Sequence, residues 1–231
     1  MRSPSAPSPV GPRTRAERLA NALSYLLNPL VFPPIAFALM SAHFGGGALE
    51  VAWVFAVSLL FFGVVPLLYI LGMVRQGRAE SLEVRDRTSR TAPLVVGVAS
   101  YVVGIVLLGA TTDAGTTVIV AYAALYPLNV LFVVLITLRW KISIHMIGLG
   151  SFVGGLLFVA LTAFRDLPPS AEAALTLATT APLLILMPLL MWARVRARAH
   201  TVGQVLAGGA FGLLVPVAEL YVLTYHVLDL A

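Results

Sequence analysis

The chain has 231 residues, 59% of them hydrophobic and 11% charged, with a net charge of +5 and no cysteine. A mean hydropathy of +0.95 leaves too little polar surface for a water-soluble core of this size and points to a helical integral membrane protein. Thiol catalysis and disulfides are excluded, and continuous apolar runs of about 18 or more residues without alternation argue against a transmembrane β-barrel.

Residues 1–16 (MRSPSAPSPVGPRTRA) are rich in Pro and Ser with scattered Arg and read as a disordered tail, with the tail boundary set at residue 20. Residues 21–231 read as one all-α transmembrane domain, a polytopic bundle. Seven spans are expected, at roughly 24–43, 51–74, 94–111, 115–138, 146–164, 172–192 and 205–226. No small-residue cleavage site follows the first, so it reads as a retained helix and not as a signal peptide. It contains Asn28, Pro29, Pro33 and Pro34, which mark it as broken or re-entrant, so six or seven helices cross. Gly148, Gly150, Gly154 and Gly155, with Gly208, Gly209 and Gly212, read as sites of close helix approach.

The connections at 44–47, 111–115 and 165–170 carry few charges, whereas those at 75–93, 139–145 and 193–204 are basic. Fourteen of the fifteen Lys and Arg residues fall on the second side, and only Arg165 on the first. The positive-inside rule puts the basic face in the cytoplasm, with a bacterial-type inner membrane as the expected location. Glu219, near Pro216, is costly in lipid and should face a partner or cavity. Asn129, near Pro127, reads as packing glue between helices. His43 and His226 read as interfacial. Nucleic acid is not an expected partner, because the arginines hug the bilayer without interleaved aromatics.

Three polar segments share the basic face. They run Glu83-Val84-Arg85-Asp86-Arg87-Thr88-Ser89-Arg90, then Trp140-Lys141-Ile142-Ser143-Ile144-His145, then Arg194 through Gln204. A pair of spans separates each from the next, so the chain returns to one face and the segments can converge. Arginines there can hold phosphate oxygens bidentately. One histidine can attack phosphorus while a second protonates the leaving oxygen. His200 and Gln204 stand four apart, so on a helix they share a face and the amide can orient the ring.

These residues resemble the type 2 phosphatidic acid phosphatase / haloperoxidase superfamily, over roughly residues 80–215. Its third motif is Ser-Arg, five residues, His, three residues, Asp; the chain has Ala193-Arg194, five residues, His200, three residues, Gln204. Its second, Pro-Ser-Gly-His, stands as Ile142-Ser143-Ile144-His145. Its first, Lys, six residues, Arg-Pro, is loosest, with Glu83 at the Lys position, Arg90 at the Arg position and Pro93 displaced. The resemblance implies a helical bundle with His200 as a nucleophile forming a phosphohistidine and His145 as general acid. It implies phosphate binding by Arg90, Ser143 and Arg194, with Arg85 or Arg87 in place of the missing Lys; Lys141 is a further candidate. Neither metal nor cofactor is expected. Gln204 stands where an Asp would stabilise an imidazolium, and Ile144 stands where a Gly would leave room for phosphate. The family places its site away from the cytoplasm, against the charge bias. The expected activity is hydrolysis of a lipid-linked phosphate or diphosphate, phosphatidate-like or polyprenyl. Transfer to an acceptor other than water, and a catalytically degenerate protein that binds anionic lipid or carries a solute, are the alternatives. Membrane lipids are expected partners, and a homo-oligomer is left open.

Overall fold

The structure, a computed structural model, describes residues 14–79, 91–113, 115–163 and 169–227. Regular structure among them is helical throughout: α1 (Arg15–Leu26), α2 (Phe32–His43), α3 (Ala48–Ser58), α4 (Val65–Arg75), α5 (Thr91–Thr111), α6 (Thr116–Thr137), α7 (Ile144–Ala163), α8 (Pro169–Arg196) and α9 (Val202–Val222). Six helical runs are long and apolar enough to cross a bilayer: Arg15–His43, Ala48–Arg75, Ala92–Thr111, Thr116–Thr137, Ile144–Leu161 and Val202–Tyr225. Helix α8 adds a seventh long helix of 28 residues. The protein is a polytopic membrane helix bundle.

The first helix starts earlier than the sequence reading placed it. Residues 15–20, assigned to the tail, form the opening turns of α1. Thr14 Oγ1 accepts from Glu17 N at 3.2 Å, and Glu17 Oε2 accepts from Thr14 N at 3.0 Å. This reciprocal capping box satisfies two amides that a helix start otherwise leaves open. Thr14 and Glu17 lie in an Arg-rich stretch next to the Pro/Ser-rich run, whose composition masks the box. Ala20 on this helix is fully buried. Arg196 at the end of α8 reaches Glu17 Oε1 at 3.7 Å and Thr14 Oγ1 at 3.4 Å, so α1 is fastened to the basic end of α8.

The first span is broken, as its prolines imply. After α1, Asn28 turns extended and its Oδ1 accepts from Leu30 N at 3.0 Å. Pro29–Val31 form one 3₁₀ turn, and α2 resumes at Phe32. The break lies against α7: a Cβ on Gly148 would sit 3.1 Å from Pro29 Cα.

The second run is continuous but carries a π-helical segment at Leu59–Val64, where Val65 N donates five residues back to Leu60 O. Its cause is Pro66. In that register Phe61 O would need the amide of residue 66, and proline has none. Ser100 on α5 fills the gap, donating its hydroxyl to Phe61 O at 2.6 Å.

The centre of the bundle is the α7–α9 seam. Glycine Cβ positions there would fall into opposing backbone: Gly150 at 2.8 Å from Leu213 N, Gly154 at 2.8 Å from Leu213 O, and Gly208 at 2.7 Å from Ser143 O. Without side chains at these points the two backbones touch directly, the close approach that small residues allow in lipid. At the end opposite the basic loops, Trp53 Nε1 donates to Thr111 Oγ1 and Asp113 N to Glu50 Oε1, each at 2.8 Å.

Candidate functional site

Two of the three basic connections meet. Lys141 Nζ donates to Ala199 O at 2.9 Å, and Ser143 N to Gln204 O at 3.4 Å. These bonds hold the loop before α7 against the α8–α9 loop and the first turn of α9. Beneath them is a cavity of about 190 Å³ whose wall includes His145, Arg194 and His200. The volume is below the roughly 300 Å³ of a typical small-molecule site. His145 sits in the first turn of α7, Arg194 in the last turn of α8 and His200 in the loop beyond. All three are buried, Arg194 to 2% exposure. A guanidinium in such a low-dielectric place interacts with an anion far more strongly than one in water.

The α8–α9 loop is shaped by how α8 ends. Arg198 N donates to Val195 O at 2.9 Å and Ala199 N to Arg194 O at 3.1 Å, the two bonds of a Schellman cap. Arg198 occupies its left-handed position, with φ 53°, where glycine is the usual choice. The reversal points His200 inward, and His200 N also bonds to Arg194 O, at 3.4 Å. Thr201 then caps α9 in a second capping box with Gln204.

That box fixes the tautomer of His200. Thr201 N–H can only donate, so the Gln204 atom 3.2 Å away is its oxygen. The same oxygen lies 3.2 Å from His200 Nδ1. Nδ1 therefore carries the hydrogen, and the neutral ring keeps its lone pair on Nε2. A ring in this state can attack an electrophile or accept a proton through Nε2.

The remaining sequence candidates divide. Gln204 meets His200, but not as two residues on one helix face: His200 lies in the loop before Thr201, the N-cap of α9, and the capping box brings the amide to its ring. Lys141 is bonded to the loop carbonyl of Ala199 and is absent from the cavity wall. Ser143 departs from its expected place at the phosphate. It is fully buried, its Oγ has no hydrogen-bond partner among the described residues, and it packs against Gly208 in the α7–α9 seam. A residue two positions before His145 at a helix start faces elsewhere than the histidine does. Arg85, Arg87 and Arg90 lie outside the described residues.

The wall also holds residues to which the sequence reading gave no site role. Pro66, Leu67 and Ile70 of α4, Pro93 and Leu94 of α5, and Val130 and Val133 of α6 make it largely apolar. Deeper in the bundle it reaches Tyr101, Tyr126, Asn129 and Ser151. Tyr101 and Tyr126 belong to a cluster with Phe37, Phe62 and Tyr122, in which Phe62 stacks on Tyr101 at 4.8 Å and most other pairs meet edge to face. Asn129 donates to Glu219 Oε2 at 2.8 Å, so the intramembrane carboxylate has the bundle partner expected of it. Asn28 lines the cavity from the break in the first span. The one sequence signal for it was a polar residue directly before proline inside an apolar run.

Comparisons with protein-family models, with curated proteins and with solved structures find no match.

Proposed function

We propose that the protein is a membrane phosphatase that hydrolyses a lipid-linked phosphate or diphosphate through a phosphohistidine on His200, without metal. The observation that carries this reading is the meeting of His145, Arg194 and His200, from three separate elements, on one otherwise largely apolar cavity. The cavity opens into the bundle at the basic end, where a head group can meet Arg194 while its lipid follows the apolar wall. His200 Nε2 attacks phosphorus, Arg194 offsets charge on the equatorial oxygens, and His145 protonates the departing oxygen. Water then cleaves the N–P bond, with His145 returning as base. The resemblance to the type 2 phosphatidic acid phosphatase superfamily rests on the same residues. The fourteen basic side chains on this face support a cytoplasmic orientation.

The test is phosphate release by purified protein in detergent, with chelator present, across phosphatidic acid, phosphatidylglycerol phosphate and polyprenyl mono- and diphosphates. Release from at least one of them at enzymatic turnover is expected. No release from any, or release only on adding magnesium, refutes the proposal.

Gln204 supplies a second measurement. Gln204→Leu removes the acceptor that fixes the ring, and kcat is expected to fall by about 10²–10⁴-fold, in line with loss of a tautomer-fixing partner in other triads. Gln204→Glu keeps the reach of the side chain and adds a charge that favours the imidazolium. It is expected to retain activity within about tenfold of wild type or to exceed it. Equal activity in all three forms would remove Gln204 from the mechanism.

A further inference from the structure

We infer that Asn28 is a substrate-binding residue of this cavity, its amide NH₂ donating to the phosphate group beside His145; the inference rests on the phosphatase reading above. Three observations carry it. First, Asn28 is on the cavity wall with His145, Arg194 and His200. Second, the orientation of its amide is set. Leu30 N–H can only donate, so the atom it meets at 3.0 Å is the Asn28 oxygen. The NH₂ is the other end, and among the described residues nothing accepts from it. Third, Asn28 stands at the level of the histidine. Pro29 packs on Gly148 so closely that a Cβ there would lie 3.1 Å from Pro29 Cα. Gly148 is three residues beyond His145 on α7, hence on the same helix face and one turn deeper.

The break in the first span therefore gives the cavity a polar donor from an element other than those that carry the histidines and Arg194. A phosphate lying between Arg194 and the two imidazoles has oxygens to spare for it, and a neutral amide donor holds such an oxygen without adding charge. The prolines on either side of the turn, Pro29 and Pro33, also line the cavity and keep the chain from closing into a regular helix that would carry Asn28 away.

Asn28→Asp separates binding from folding. Aspartate keeps an oxygen for Leu30 N–H, so the turn persists, but it presents a carboxylate where the amide donor stood. With the best lipid phosphate of the release assay as substrate and inorganic phosphate as competing inhibitor, Asn28→Asp is expected to lose at least tenfold in kcat/KM. Inhibition by inorganic phosphate should weaken at least tenfold, with the melting temperature in detergent unchanged. Asn28→Ser, which also caps the turn, should lose about threefold or more in phosphate affinity. If Asn28→Asp does not fold, the serine variant decides. Wild-type kcat/KM and phosphate affinity in the folded variants, beside an active wild type, overturn this inference alone. A wild type that releases no phosphate from any of the lipids overturns the phosphatase reading, and the inference with it.

Discussion

His200→Ala is expected to abolish phosphate release, with kcat falling by at least about 10⁴-fold, because it removes the atom that forms the covalent bond. The loss should be chemical and not structural. His200 N bonds to Arg194 O through the backbone, and the Schellman cap of α8 uses only main-chain groups from Arg194 to Ala199. Loss of the hydrogen bond to Gln204 costs about 1 kcal/mol, and the main-chain bonds remain, so the protein should still fold. Rapid quenching of the wild type with phosphate-labelled substrate should trap an acid-labile, base-stable phosphoprotein that is absent in His200→Ala. His145→Ala makes a contrasting case. It should slow hydrolysis of a lipid phosphate strongly, but slow an activated aryl phosphate far less, since that leaving group departs without a proton. Full activity in His200→Ala would end the catalytic assignment. A uniform loss in His145→Ala across both leaving groups would reduce that residue to a structural part.

How much of this site was legible beforehand depends on the kind of signal each residue leaves. His145, Arg194, His200 and Gln204 were readable because spacing along a helix end and return of the chain to one face are properties of the sequence itself. So were the broken first span and the seam glycines, since proline and glycine act locally. Ser143 was misplaced because neighbours in sequence at a helix start diverge in space. Its Cβ lies against Gly208 in the α7–α9 seam, while the histidine two residues on reaches the cavity. Asn28 looked like a helix breaker, which it is; that the break is pressed against α7 one turn from His145 is a tertiary fact with no trace in the local pattern. The π-helical segment at Leu59–Val64 was hidden for a similar reason. Pro66 announces a defect, but the hydroxyl that stabilises it arrives from Ser100, on the next span. The opening turns of α1 were missed although Thr14 and Glu17 spell a capping box, because composition was weighed over a long window and the box occupies four residues.

Gly212→Val should have the largest effect on the fold. A Cβ at Gly212 would press into the carbonyl oxygen of Ile147 and lie 2.8 Å from its Cα and 2.9 Å from its carbonyl carbon. These are backbone atoms of a buried helix, so no rotamer change relieves the clash; α9 must move off α7. Overpacking of this kind costs about 1–3 kcal/mol, and a β-branched side chain wedged between two backbones belongs at the upper end. The displacement also reaches the chemistry. Ser143 N bonds to Gln204 O across the head of the same seam, so pushing α9 outward pulls Gln204, and with it the oriented His200 ring, away from His145. A misplacement of about 1 Å can cost roughly 10²-fold in rate. Gly212→Val should therefore melt well below wild type in detergent and lose activity even at temperatures where it remains folded. Gly203→Ala is the internal control: among the described residues, nothing beyond its chain neighbours and its own helix backbone lies within 4 Å of its Cβ position, and alanine suits the first turn of α9, so stability should hold or rise by up to about 1 kcal/mol. Wild-type melting in Gly212→Val would mean that the α7–α9 contact is looser than its glycines make it. Normal melting with lost turnover would show that the seam sets the spacing of the two histidines without limiting stability.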